Sequence, residues 1–161
     1  MIKTERIGHV VLKVRDLERS EKFYTEVLGL TRMGRLERPP VVFLASNARD
    51  HHELGLLEVG ADGGNPKPDN VGLLHVAFRL ETGEQLAEAY RELKARGVTI
   101  SCTVNHGVAK GIYFLDPDGN ELELYVDNSA ADVALFDNPY AGVEKLEFAP
   151  DDPSLIEALQ G

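Results

Sequence analysis

The chain has 161 residues, 43% of them hydrophobic and 27% charged, ordinary values for one globular domain that buries about two-thirds of its unfolded surface. Its 27 acidic residues outnumber 17 basic ones, for a formal charge of -10. With no basic cluster to offset this, phosphate backbones would be repelled and no nucleic-acid partner is expected.

No apolar run approaches the ~20 residues that cross a bilayer, and Met1 to Arg6 leads straight into a strand pattern rather than a signal peptide. A cytoplasmic protein with no membrane partner is therefore expected. The single cysteine, Cys102, has no partner for an internal disulfide. Any metal site must draw on nitrogen and oxygen donors, and the chain has five histidines to offer.

In chain order, Val10, Leu12 and Val14 alternate with His9, Val11 and Lys13, a period of two that predicts a strand. Asp16 is a plausible N-cap for a helix whose apolar stripe is Leu17, Phe23, Tyr24, Val27 and Leu28, stopped at Gly29. Strands are predicted near 31–37, 41–46 and 52–59, with Pro39 and Pro40 marking a turn. The segment from Gly60 to Asn70, rich in Gly, Pro and Asp, reads as a connection.

The same order then recurs. Leu74, Val76, Phe78 and Leu80 alternate against His75, Ala77 and Arg79. Thr82 and Gln85 form a capping box for a helix that turns Leu86, Ala89, Tyr90 and Leu93 inward and ends at Gly97. Strands follow near 98–104, 108–115 and 121–126. Asp116-Pro117-Asp118-Gly119-Asn120 carries strong hairpin-turn chemistry, and Asp116, Asp118 and Asn120 read as turn formers.

GHVVLKVRDLERSEKFY (8–24) and LHVAFRLETGEQLAEAY (74–90) are thus two copies of one unit. The predicted architecture is α+β: two βαβββ modules, about 5–60 and 71–127, forming one curved mixed sheet within a single domain, 1–127. Residues 128–161 form a C-terminal extension packed on the domain or a partner subunit. Phe136, Tyr140, Leu146 and Phe148 are its apolar anchors, and Pro153 to Leu159 could form a last helix.

Strand parity picks out a site. His9 and His75 stand at equivalent places in the repeat, each opposite its strand's apolar stripe. Glu123 lies opposite Leu122, Leu124 and Val126. If the apolar stripes face the helices, all three share the other face. Two imidazoles and a carboxylate make a donor set that suits Fe(II) with open positions, or Mn(II), and zinc is chemically allowed.

Residues 5–127 resemble the vicinal oxygen chelate superfamily through IGHVVLKVRDLERSEKFYTEVLGL and LHVAFRL, motifs shared with glyoxalases and resistance proteins. Within it, VNHGVAKGIYFLDPDGNELE (104–123) is similar to the signature of type I extradiol ring-cleaving dioxygenases of the catechol 2,3-dioxygenase kind, in single-domain form. Its Val-x-His, Ile-Tyr, Asp-Pro-Asp-Gly and Glu123 follow that signature in order. Asp50-His51-His52-Glu53-Leu54 resembles the segment carrying the family's acid/base histidine.

The resemblance implies Fe(II), with Mn(II) possible, held by His9, His75 and Glu123. It implies His52 as general acid/base, and His106 and Tyr113 as hydrogen-bonding groups to the substrate oxygen. An aromatic diol and O2 would be the substrates, and a homodimer or higher homo-oligomer is expected. Two rivals remain. A glyoxalase I or epimerase would need a fourth protein ligand on the first module's last strand, whose site-facing side is read as His52, Leu54, Leu56 and Glu58. A non-enzymatic drug-binding resistance protein would not need the three ligands together.

Overall fold

The computed structural model describes residues 1–47, 50–65, 67, 69–141 and 143–148. The chain divides into two compact units, Met1–Asn70 with Pro117–Asn120, and Val71–Asp116 with the residues from Glu121 onward. Among the described residues, no helix is long and apolar enough to cross a membrane.

The first unit carries β1 (Val10–Val14), α1 (Leu17–Glu26), β2 (Thr31–Glu37), β3 (Pro40–Ala45) and β4 (Leu54–Glu58). Its sheet runs β1-β4-β3-β2, with β1 parallel to β4 and the other pairs antiparallel. The parallel pair needs a long crossover, and α1 forms the first part of it. Asp16 caps α1 as predicted by accepting from Arg19 N–H. Gly29 stands just beyond the helix with φ 69°, where a side chain would be strained. Leu12, Val14, Val42, Leu44, Leu54 and Leu56 form the core under Leu17 and Tyr24 of α1. Each such aliphatic side chain stabilises the unit by roughly 1.5–3 kcal/mol.

The second unit repeats the plan with β5 (His75–Arg79), α2 (Gly83–Ala95), β6 (Ile100–Asn105), β7 (Ala109–Leu115) and β8 (Glu121–Asp127). Its sheet runs β5-β8-β7-β6-β9. The Thr82–Gln85 capping box is formed in full. Leu86, Tyr90 and Leu93 of α2 are buried, as are Ile112, Phe114, Leu122 and Leu124 of the sheet. Cys102 lies on the opposite face, packed with Val104 and Tyr113.

Hydrogen bonding thus groups the strands as a four-stranded and a five-stranded sheet, where one continuous curved sheet is expected from the repeat. Each parallel pair closes its ladder inside its own module, which leaves β1 and β5 as end strands.

Two elements of the C-terminal segment escape prediction. A short helix, α3 (Ala130–Val133), starts at Ser129, whose hydroxyl accepts from Asp132 N–H. A two-residue strand, β9 (Glu144–Lys145), pairs with Val104 and Asn105 of β6. Thr103 Oγ1 donates to Leu146 O at 2.6 Å, and Phe148 stacks on Tyr90 with ring centroids 4.8 Å apart. Tyr140, expected to be an anchor, is exposed. The helix expected over 153–159 lies outside the described residues.

Candidate functional site

In the first unit, His9 and His52 are brought together by backbone pairing. Val10 N–H donates to Glu53 O at 3.0 Å, and Glu53 N–H donates to Leu44 O at 2.9 Å. The Glu53 carboxylate accepts from Ser46 N–H and Oγ–H and from Asn47 Nδ2–H, which fixes the chain just after His52. The ring of His52 then lies 4.3 Å from that of His9 and 4.8 Å from that of Phe43. Burial, and after it the neighbouring His9 and His51, lowers the His52 pKa below the ordinary imidazole value, so its neutral, proton-accepting form is favoured. His51 is the exposed member of the pair, although its Nδ1 is 2.6 Å from Nδ1 of His52.

The β4 parity expected from sequence is overturned. In the parallel register, Leu54, Leu56 and Glu58 stand beside Val10, Leu12 and Val14. They therefore share the helix-facing side, and Leu54 and Leu56 are core residues. Glu58 accepts from Leu17 N–H at 2.8 Å and so satisfies the start of α1. The side shared with Val11 carries Gly55 and Leu57. The strand thus presents no carboxylate on that side, where the sequence reading puts Glu58: the expected alternation runs through His52, whereas the strand begins only at Leu54.

The second unit gathers three of the predicted residues, His75, Tyr113 and Glu123, on one sheet face. The β5–β8 register sets His75 and Ala77 beside Glu121 and Glu123, and β7 sets Tyr113 opposite Glu123. His75 Nε2 is 3.4 Å from Glu123 Oε2. Donors that share one divalent ion at about 2.1 Å stand about 3–3.4 Å apart, so this pair fits a metal. His75 Nδ1 is buried with no hydrogen-bond partner among the described residues.

Tyr113 reaches His106, whose Nε2 is 3.0 Å from the hydroxyl, and its ring meets that of His75 edge-on at 5.2 Å. Burial and the Glu123 carboxylate raise the Tyr113 pKa well above the ordinary phenol value, so the hydroxyl stays protonated. The turn carrying His106 is held by Asn105 and Asn128. Asn105 Oδ1 accepts from Gly107 N–H and from Asn128 Nδ2–H, which also donates to Gly107 O. Gly107 has φ 82°, and a β-carbon there would meet Pro139 O at 2.6 Å. Among the described residues of either unit, no three His, Cys, Asp or Glu side chains form a metal-holding group; the second unit presents a pair.

Asp118 has a larger role than turn former. It is 6% exposed and accepts from Arg15 Nη1–H at 2.9 Å, Arg19 Nη2–H at 2.6 Å and Ser20 Oγ–H at 3.2 Å. Its sequence, the middle of a turn motif, gives no sign of those partners.

Residues 6–124 match the Glyoxalase/Bleomycin resistance protein/Dioxygenase superfamily. The chain belongs to this superfamily. It is 37% identical over 133 residues to biphenyl-2,3-diol 1,2-dioxygenase 3 of Rhodococcus globerulus, covering 81% of this chain and 67% of the relative; it thus spans about two-thirds of that protein's length. It is also 32% identical over 144 residues to the glutathione transferase FosA of Serratia marcescens, covering 86% of this chain and 94% of the relative. The fold is shared with a glyoxylase/bleomycin resistance protein/dioxygenase domain from Frankia sp. EAN1pec at a TM-score of 0.68, with 23% identity over 78% of this chain and 100% of that one. Membership in the vicinal oxygen chelate superfamily, and the α+β fold of paired modules that goes with it, therefore stand.

Proposed function

We propose that this chain is an extradiol dioxygenase, opening the ring of a catechol-type diol with O2 at a divalent-metal site held by His9, His75 and Glu123. The observation that carries the reading is the His75–Glu123 donor pair, with the Tyr113–His106 pair beside it. Two imidazoles and one carboxylate suit Fe(II), and Mn(II) fits the same donors. The relative of known diol-cleaving name supports the assignment of substrate class.

When bound, the metal supplies a Lewis acid that eases ionisation of the diol and a path for electron density between diol and dioxygen. The rest falls to the protein. His52, neutral at neutral pH, takes the proton of the second hydroxyl and returns it to the leaving oxygen as the ring opens. His106 orients a diol oxygen, and Tyr113, kept protonated, holds the His106 ring in place. A ring carbon–carbon bond beside the diol breaks and both atoms of O2 enter the product, a ring-opened semialdehyde acid, so no external reductant is consumed. The same reading expects a homodimer or higher homo-oligomer, checked by light scattering.

The test is direct. Protein purified without oxygen and loaded with Fe(II) is given catechol or 2,3-dihydroxybiphenyl in air, and a yellow ring-opened product should grow. Silence across several diols, with metal bound, overturns the dioxygenase reading. It would then favour the second reading, a transferase- or lyase-type metalloenzyme, supported by the relative from Serratia marcescens that this chain matches over nearly its whole length.

A further inference from the structure

The geometry points to Gly111 as a positioning residue that makes room for the Glu123 carboxylate; the inference rests on the reading of Glu123 as a metal ligand. Gly111 lies in the interior of β7, opposite Tyr125 and one same-face step from the Tyr113–Glu123 pair. Glycine weakens a strand interior, since it has the most freedom to lose and no side chain to pack. It is absent from the glycines with positive φ, so no turn geometry calls for it. Something else must require the missing side chain.

A β-carbon built at 111 would sit 3.2 Å from Glu123 Cδ and 3.3 Å from Cγ, and inside contact distance of Oε1. Its three nearest atoms thus all belong to one carboxylate-bearing side chain. The other strand glycines differ: at Gly34 the new atom would meet Phe43 at 3.8 Å, and at Gly55 it would press on Val11 at 3.1 Å. At 111 alone the space is filled by a proposed ligand. The obstructed atoms are the far end of a flexible side chain. An added methyl would therefore leave the sheet standing and push the carboxylate out of its 3.4 Å approach to His75 Nε2. Glu123 would keep its identity and lose its place.

The experiment is titration of metal-free protein with Mn(II), read from the spin-resonance signal of the free ion, alongside thermal melting. Gly111→Ala should melt like the parent and bind Mn(II) about 10–100-fold more weakly, the usual cost of disturbing a ligand's support. In a Glu123→Asp background, whose shorter side chain stands clear of the added methyl, Gly111→Ala should cost little more. Unchanged Mn(II) affinity in Gly111→Ala, or an equal loss in both backgrounds, would overturn the inference. Should Gly111→Ala fail to fold, Gly111→Ala with Glu123→Ala must fold as Glu123→Ala does; failure of that rescue places the obstruction elsewhere and overturns it too. Parent-like Mn(II) binding by Glu123→Gln would instead sink the ligand reading itself, and the inference with it.

Discussion

The hydroxyl of Tyr113 lies 3.0 Å from Nε2 of His106, so an imidazole on a turn is oriented by a phenol anchored in the middle of a strand. Burial and Glu123 hold that phenol's pKa well above its ordinary value. Tyr113→Phe should retain metal and lose about tenfold or more in kcat, the usual scale for groups behind a ligand or substrate contact. Because the phenol does not ionise in the working range, any alkaline limb in the pH profile of kcat should be the same in both proteins.

His75 and His52 should separate by what they lose. His75→Ala removes a proposed ligand, and metal analysis after gel filtration should find the ion gone. His52→Ala should keep the metal while turnover falls by about 10²–10⁴, the range for a missing general acid/base. Full activity in His52→Ala, followed by oxygen uptake, would refute the acid/base role.

Glu58 tests the corrected strand parity. Its carboxylate serves the first turn of α1 through Leu17 N–H, so Glu58→Ala should cost about 1 kcal/mol, comparable to loss of a helix cap. Metal affinity should be unchanged. A large loss of metal would restore Glu58 as a fourth ligand and favour glyoxalase-type chemistry.

Asp118 should govern acid stability. Burial works against its charged form, but hydrogen bonds from Arg19, Arg15 and Ser20 outweigh that, and its pKa is lowered. A carboxylate whose folded pKa lies below its unfolded value of about 3.9 stabilises fully above that value. The contribution fades as pH falls through the unfolded pKa toward the lower folded one. Asp118→Asn should therefore cost on the order of 1–2 kcal/mol at pH 7, the scale of lost charge-assisted hydrogen bonds discounted because Arg15 and Arg19 both reach solvent. The difference between variant and parent should shrink as denaturation is followed from pH 5 down to pH 2.

The repeat made the fold legible. His9 and His75 open equivalent strands, Asp16 and Thr82 cap equivalent helices, and Gly29 and Gly97 follow them with φ 69° and 68°. In β5 and β8, strict alternation places His75 and Glu123 on one face; Tyr113, given by the resemblance alone, joins them there through the β7–β8 register. Alternation failed at β4 because His52 precedes the first paired residue, and a count through an irregular residue inverts every side chain after it. Asp118 and Gly111 were hidden for another reason. Their roles depend on which side chains arrive from other strands and helices, and local pattern carries no record of that.

Cys102 lies on the same face as Tyr113, 2% exposed. Burial, then the charges of Glu121 and Glu123, raises its pKa to about 11, so at neutral pH almost none is thiolate, the form that alkylating reagents attack. Labelling must wait until the second unit opens around it. The rate at which a thiol reagent marks this one position is therefore a clock for those openings, readable by mass without any engineered probe.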